Sequence, residues 1–261
     1  MLVTGGVGSS WGVVGSAEIY SPTTNTWTSL PPMQTARNQH AAALLDSGRV
    51  LVTGGYSTLN KAVATAEIYD PATNTWSSTP SMSGPRASHT ATLLGNGKVL
   101  LAGDTFSLQG GIVGPDIYDP AANTWTKGPS MFSMHNVPTA TLLQDGRVLV
   151  AGDYGAAGTV AEIYSPATNT WTQTPRMPTA RSFHTATLLP SGKVLVAGGL
   201  SGSSSAPTAD IYDPVADTWT QGPPMAVGRA HHAAVRTSAG ALVFGGSGSK
   251  LILSSTELYT E

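Results

Sequence analysis

A short, mostly apolar run that closes on glycine recurs six times along the chain. It reads LVTGG at 2–6 and 51–55, LLAGD at 100–104, LVAGD at 149–153, LVAGG at 195–199 and LVFGG at 242–246. Ahead of these runs lie stretches such as HTATLL, from His89 and His184, in which Thr and Ala are mixed with Leu. Segments of this length and composition, bounded by Gly, Asn, Asp and Ser, predict strands. The two kinds of segment are joined by DSGR (46–49), GNGK (95–98), QDGR (144–147) or PSGK (190–193). Each joint contains a Gly that can supply the positive φ of a tight hairpin turn. A variable loop then leads to a third strand, as in AEIY. An Asp-Pro or Ser-Pro turn leads on to a fourth, which carries Asn-Thr-Trp or Asp-Thr-Trp. Pro presets φ for such a turn and Asn tolerates the left-handed conformation. Nothing in the unit reads as helical.

Tryptophans 27, 76, 125, 171 and 219 are spaced 49, 49, 46 and 48 residues apart, and tyrosines 20, 69, 118, 164, 212 and 259 keep the same beat. The five Trp residues read as packing between units; Trp11 lies outside the pattern. Four-stranded units cannot each bury two faces alone. Packed radially they form a β-propeller, with the first strand innermost and the fourth at the rim. The expected fold is therefore all-β, with about six blades of four antiparallel strands in a single domain, 1–261. The blades run roughly 34–80, 83–129, 132–175 and 178–222, flanked by partial blades at 1–29 and 226–261. The first partial blade lacks its first strand and the last lacks its fourth. Two readings follow: a six-bladed ring with two three-stranded blades, or a fragment of a larger protein. Met1 lying directly on a strand favours the second.

The Gly-Gly ending of the second strand, the Glu/Asp-Ile-Tyr of the third and the Asn-Thr-Trp of the fourth together resemble the kelch repeat. The likeness extends over nearly the whole chain. No Trp-Asp dipeptide marks WD40 repeats, and no Ser-x-Asp-x-Gly-x-Thr-Trp box marks sialidases. The wording HTATLLPSGKVLVAGG is most similar to bacterial kelch-repeat proteins of the galactose-oxidase-like propeller superfamily. That resemblance implies a recognition module, with a secreted or cell-surface setting.

Composition narrows the chemistry. Only 11% of residues are charged, the formal net charge is −2, and the basic residues form no run. Nucleic acid and anionic membrane surfaces therefore have no electrostatic case as partners. No apolar stretch approaches the ~18–20 residues of a membrane span, and the first residues do not pattern as a signal peptide. The absence of Cys removes disulfides, thiolate metal sites and cysteine nucleophiles. It also removes the Cys-Tyr thioether of the copper radical oxidases that share the superfamily's fold. The Gly-x-Ser-x-Gly spelling occurs at Gly8–Gly12, but on a loop between two strands rather than on the strand-to-helix elbow of a hydrolase, and no phosphate-binding loop opens a helix.

Chain direction puts the loop after the second strand and the connection between blades at one end of each blade. All six histidines (40, 89, 135, 184, 231 and 232) fall there, at the start of a first strand. Arginines 37, 86, 181 and 229 precede a His by three residues, and an acid opens each third strand: Glu18, Glu67, Asp116, Glu162, Asp210 and Glu257. Residues repeated in every blade are expected to bond to each other and to loop backbone. Recognition is expected where blades differ, on the variable loops. In the fourth blade His135 and Pro138 stand where the others have Arg and His. Asp104 and Asp153 replace the second Gly of the run in the third and fourth blades.

The candidate ligand-binding residues are His135, Asp104, Asp153, Tyr154, Phe106, Arg86, Trp11 and Tyr56. No catalytic residue and no cofactor is expected. Asp104, Asp153 and His135 are the only candidates for a divalent ion, since two carboxylates and an imidazole suit one. The expected function is non-catalytic binding of a protein or glycan by a monomer outside the cell or on its surface. The alternative is a propeller enzyme, of sugar isomerase or lyase type or metal-dependent.

Overall fold

A computed structural model describes residues 1–58, 61–103, 114–154, 158–249 and 251–261. Among the described residues there is no α-helix, so none is long and apolar enough to cross a membrane. The chain divides into two compact units, Met1–Gly128 and Pro129–Glu261.

The first unit holds three antiparallel sheets. One consists of β1 (Leu2–Thr4), β2 (Ala17–Ser21) and β3 (Thr26–Leu30). The next comprises β4 (Ala41–Leu44), β5 (Val50–Thr53), β6 (Ala66–Asp70) and β7 (Thr75–Ser78). The third comprises β8 (Thr90–Leu93), β9 (Val99–Ala102), β10 (Asp116–Asp119) and β11 (Thr124–Lys127).

The second unit opens with β12 (Thr139–Leu142), β13 (Val148–Ala151), β14 (Ala161–Ser165) and β15 (Thr170–Gln173). Its middle sheet runs β16 (Thr185–Leu188), β17 (Val194–Ala197), β20 (Ala209–Asp213) and β21 (Thr218–Gln221). The variable loop within that sheet folds as a small hairpin of β18 (Leu200–Ser201) and β19 (Ser204–Ser205). The last sheet has three strands, β22 (Ala233–Thr237), β23 (Gly240–Phe244) and β24 (Thr256–Thr260). Strand order within each sheet follows chain order, as a meander requires. The first sheet lacks a first strand and the sixth lacks a fourth, as the repeat count predicts.

The second strands β9, β13 and β17 are buried on both faces. Val99, Leu100, Leu101 and Ala102 of β9 are all fully buried, which is why this segment of the repeat is an unbroken apolar run rather than an alternating one. Sheets pack face to face within each unit. Leu51 and Ile68 of the second sheet meet Val99, Leu101 and Tyr118 of the third. Leu149 and Ile163 of the fourth meet Val194, Val196 and Tyr212 of the fifth.

The turn between third and fourth strands is built as its sequence suggests. Asn25, Asn74, Asn123, Asn169 and Asp217 sit at φ 52–55°. Each accepts a hydrogen bond from the hydroxyl of the Tyr five residues earlier. That Tyr stacks on the Trp directly opposite it, with ring centroids 4.7–5.2 Å apart. The Trp also reaches the connection behind its sheet: Trp76 and Trp125 donate Nε1–H to the carbonyls of Pro31 and Pro80 at 2.8 Å.

Candidate functional site

In four blades the repeated Arg, fully buried, pairs with the repeated acid. Arg37, Arg86 and Arg181 donate to Glu67, Asp116 and Asp210 at 2.7 Å, and Arg229 donates to Glu257 at 2.6 Å. A guanidinium without solvent is tolerable only when its charge and its N–H groups find partners. Arg181 accordingly also donates to the carbonyls of Gly198 and Thr208. The acid in turn accepts backbone N–H groups of the incoming connection, as Glu67 does from Gln34 and Thr35. The pair thus pins the blade-to-blade connection to the end of the sheet. This explains its repetition without any ligand.

The repeated histidines tie neighbouring blades within each unit. His40 hydrogen-bonds with Thr4, His89 with Thr53, His184 with Thr139 and His232 with Thr185, at 2.8–3.1 Å through Nε2. Each packs over the first Gly of the preceding blade's second strand. A Cβ at Gly198, for instance, would stand 2.7 Å from His232 Cε1. Burial, and then the nearby Arg, lower the pKa of His40 and His232 to about 4 and that of His184 to about 3. His89 is lowered well below its ordinary value for the same reasons.

The fourth blade keeps the plan with different chemistry. His135 is fully buried, donates Nδ1–H to the Gly152 carbonyl at 2.8 Å and turns Nε2 to Glu162 at 3.2 Å. Glu162 accepts the N–H groups of Phe132 and Ser133. An imidazole therefore does the guanidinium's work. Asp153 accepts from the backbone N–H and side-chain amide of Asn136 and from the N–H of Tyr154. It fastens the loop after β13 to the connection before β12. Pro138, in the histidine position, is buried and has no side-chain group that can hydrogen-bond to the preceding blade.

His135, Asp153 and Tyr154 thus come together, with His135 and Asp153 buried and Tyr154 64% exposed. Arg86 is fully buried against Asp116. Tyr56 forms backbone bridges with Asn38 and Ala62, and Trp11, at φ 62°, stands 90% exposed on its own loop. Asp104 and Phe106 lie outside the described residues. Among the described residues no three His, Cys, Asp or Glu side chains gather as metal ligands.

The residue just before each repeated histidine, or before Pro138 in the fourth blade, carries no common signature in the sequence. Gln39, Ser88, Val137, Phe183 and His231 occupy it, at φ 50–54° in every case. Their backbones are alike and their side chains are all different. In the second unit this position builds an aromatic patch. The rings of Phe183 and His231 lie 4.1 Å apart, and Tyr154 meets Phe183 edge-on at 6.4 Å. In the first unit Ser88 donates to Gln39 through both its N–H and its hydroxyl. His135 adds a second left-handed residue, φ 51°, two positions before Val137.

Six successive antiparallel meanders, the last five pinned to their incoming connections by an ion pair or its imidazole equivalent, define a β-propeller. Residues 1–34, 37–83 and 181–226 match the Kelch motif. The chain is a kelch-repeat β-propeller. The matched segments leave out 84–180, the stretch that contains Asp104, His135, Pro138 and Asp153. No curated protein matches the sequence.

Proposed function

We propose that this propeller is a non-catalytic recognition module that binds a protein or glycan at the end bearing the blade connections and the loops after the second strands. The observation that carries the reading is the left-handed position before the repeated histidine. Its backbone is held constant by the blade, while its side chain is Gln, Ser, Val, Phe or His. A rigid frame with variable side chains is how scaffolds separate stability from recognition. Exposed Tyr154, beside the Phe183–His231 stack, supplies aromatic surface of the kind that dominates binding energy. Kelch propellers commonly mediate protein interactions. A glycan or surface-protein partner also accords with an extracellular or cell-surface setting.

The test is a binding screen of the purified protein against a glycan array and candidate extracellular proteins, repeated with Tyr154→Ala, Phe183→Ala and His231→Ala. Loss of at least tenfold in affinity in the Phe183 variant, with unchanged circular dichroism, is the expected result. The reading fails if the screen finds no ligand, or if all three variants bind as the parent does.

A further inference from the structure

A cavity recurs at the end of the blades that carries the hairpin turns, once in each unit. In the first unit it has a volume of about 390 Å³, and Leu45, Asp46, Arg49, Lys98, Asp119 and Pro120 are among the residues that line it. In the second, of about 400 Å³, Leu143, Gln144, Lys193, Asp213 and Pro214 take the corresponding places. Ligand pockets run to roughly 300–1,000 Å³, so both are large enough for a small molecule. Part of the lining is common to the two and serves the blade. Lys98 pairs with Asp119 at 3.1 Å, and Lys193 with Asp213 at 3.2 Å. Asp119 also accepts the N–H groups of Ala121 and Ala122.

The two cavities differ in one hairpin turn, DSGR (46–49) between β4 and β5 in the first unit and QDGR (144–147) between β12 and β13 in the second. In the second unit the turn neutralises itself. Arg147 donates Nε–H and a terminal N–H to Asp145, each at 2.7 Å, and also reaches the Pro214 carbonyl at 3.1 Å. In the first unit the acid stands one residue earlier, so Asp46 takes the place of Gln144 and Ser47 that of Asp145. From there the carboxylate of Asp46 turns to the neighbouring blade, where its Oδ2 would lie 3.3 Å from a Cβ on Gly97. Arg49 keeps one side-chain bond, from Nε–H to the Ser47 hydroxyl at 3.2 Å. Among the described residues, neither the carboxylate of Asp46 nor the terminal nitrogens of Arg49 have an ion-pair or hydrogen-bond partner.

We propose that the first unit's cavity is a binding site for a zwitterion of the α-amino acid class. Asp46 receives the ligand's ammonium group, and the planar guanidinium of Arg49 receives its carboxylate through paired N–H groups. Charge complementarity selects this class of ligand. A lone anion in the cavity would meet Asp46 and a lone cation would meet Arg49, whereas a zwitterion satisfies both. Leu45, Pro120 and Ala121 give the cavity an apolar lining that suits an aliphatic side chain. The second unit's cavity has the same size without the two uncommitted charges, so it serves as an internal control. The site lies at the hairpin end of the blades, away from the loops, and stands or falls independently of recognition there.

The experiment titrates L-leucine into the isotope-labelled 261-residue protein and follows backbone amide signals by NMR. Saturable shifts are expected at Gly97 and Lys98, with none at Gly192 and Lys193 of the second cavity. Isocaproate, which lacks the ammonium group, and isoamylamine, which lacks the carboxylate, should each bind at least tenfold more weakly. Asp46→Asn should weaken leucine binding at least tenfold. Ser47→Asp should do the same, because it gives Arg49 the partner that Arg147 has in Asp145. Both positions are exposed, so the two variants are expected to keep the circular dichroism of the parent. The proposal is overturned if Gly97 shows no saturable shift, or if either single-charge analogue matches leucine. It is equally overturned if either variant binds as the parent does, or if the second cavity takes leucine as well as the first.

Discussion

A fully buried arginine is among the costliest residues a small blade can contain, and this chain buries four. Arg37, Arg86, Arg181 and Arg229 have no exposed surface. Each persists because a carboxylate lies within 2.7 Å of its guanidinium. Removing one partner leaves the other as an uncompensated buried charge, at a cost of about 3–5 kcal/mol. Arg181→Met is therefore expected to lower the unfolding free energy by about that amount in urea titrations. A loss below about 1 kcal/mol would mean that Asp210 finds another partner or stays protonated. The Arg-x-x-His spacing made this pairing legible in the sequence, because two repeated polar groups with a repeated acid must be serving the blade. The left-handed position between Arg and His was not legible. Its five occupants, Gln39, Ser88, Val137, Phe183 and His231, share no side-chain chemistry. One of them, Val137, is β-branched and is strained at φ 54°.

At the scale of the element, the glycines of the repeat have two different jobs. In the hairpin, Gly146 sits at φ 83° with no atom within 4 Å of where a Cβ would be. At the end of β17, Gly198 sits at φ 64°, and a Cβ there would meet the Arg229 carbonyl at 2.5 Å and His232 Cε1 at 2.7 Å. Gly146→Ala is expected to cost about 1–2 kcal/mol, the left-handed penalty alone. Gly198→Ala should cost more, since a backbone carbonyl of the next blade must move as well. Thermal melts of the two variants decide the matter, and equal losses would contradict the close approach. Strand order and hairpins were readable, because each rests on contacts a few residues apart within one unit, whereas the Trp residues, read as packing between units, also stack on the Tyr of their own sheet. The tie from Trp76 to the Pro31 carbonyl spans 45 residues and ends on a main-chain atom, which leaves no mark on residue type. The small hairpin of β18 and β19 left no signal in the sequence for a related reason. Its Leu-Ser-Gly-Ser-Ser-Ser wording is pairing of backbone, not of side-chain pattern.

For the molecule as a whole, sparse charge makes a few buried bases decisive for its response to acid. His40, His89, His184 and His232 are all held below the ordinary histidine range, first by burial and then by a neighbouring Arg. In the unfolded chain each should titrate near 6.5. Between that value and about 4 the unfolded state therefore binds protons that the native state refuses, and stability must rise with pH across the window. The contribution is fully present above about pH 6.5 and is lost as the pH falls toward about 4, and toward about 3 for His184. Carboxylates cannot mimic this. Asp119 and Asp213 have pKa values lowered chiefly by backbone hydrogen bonds, so their loss belongs below about pH 4. Urea midpoints are thus expected to be flat from pH 8 to 7 and to fall steadily from 6.5 to 4.5. His184→Gln can keep a hydrogen bond to Thr139 without titrating, and it should make that fall shallower. A midpoint that stays level to pH 4.5 would show the histidines taking up protons inside the fold. In that case the imidazole–threonine ties between blades could not be the neutral contacts that their burial requires.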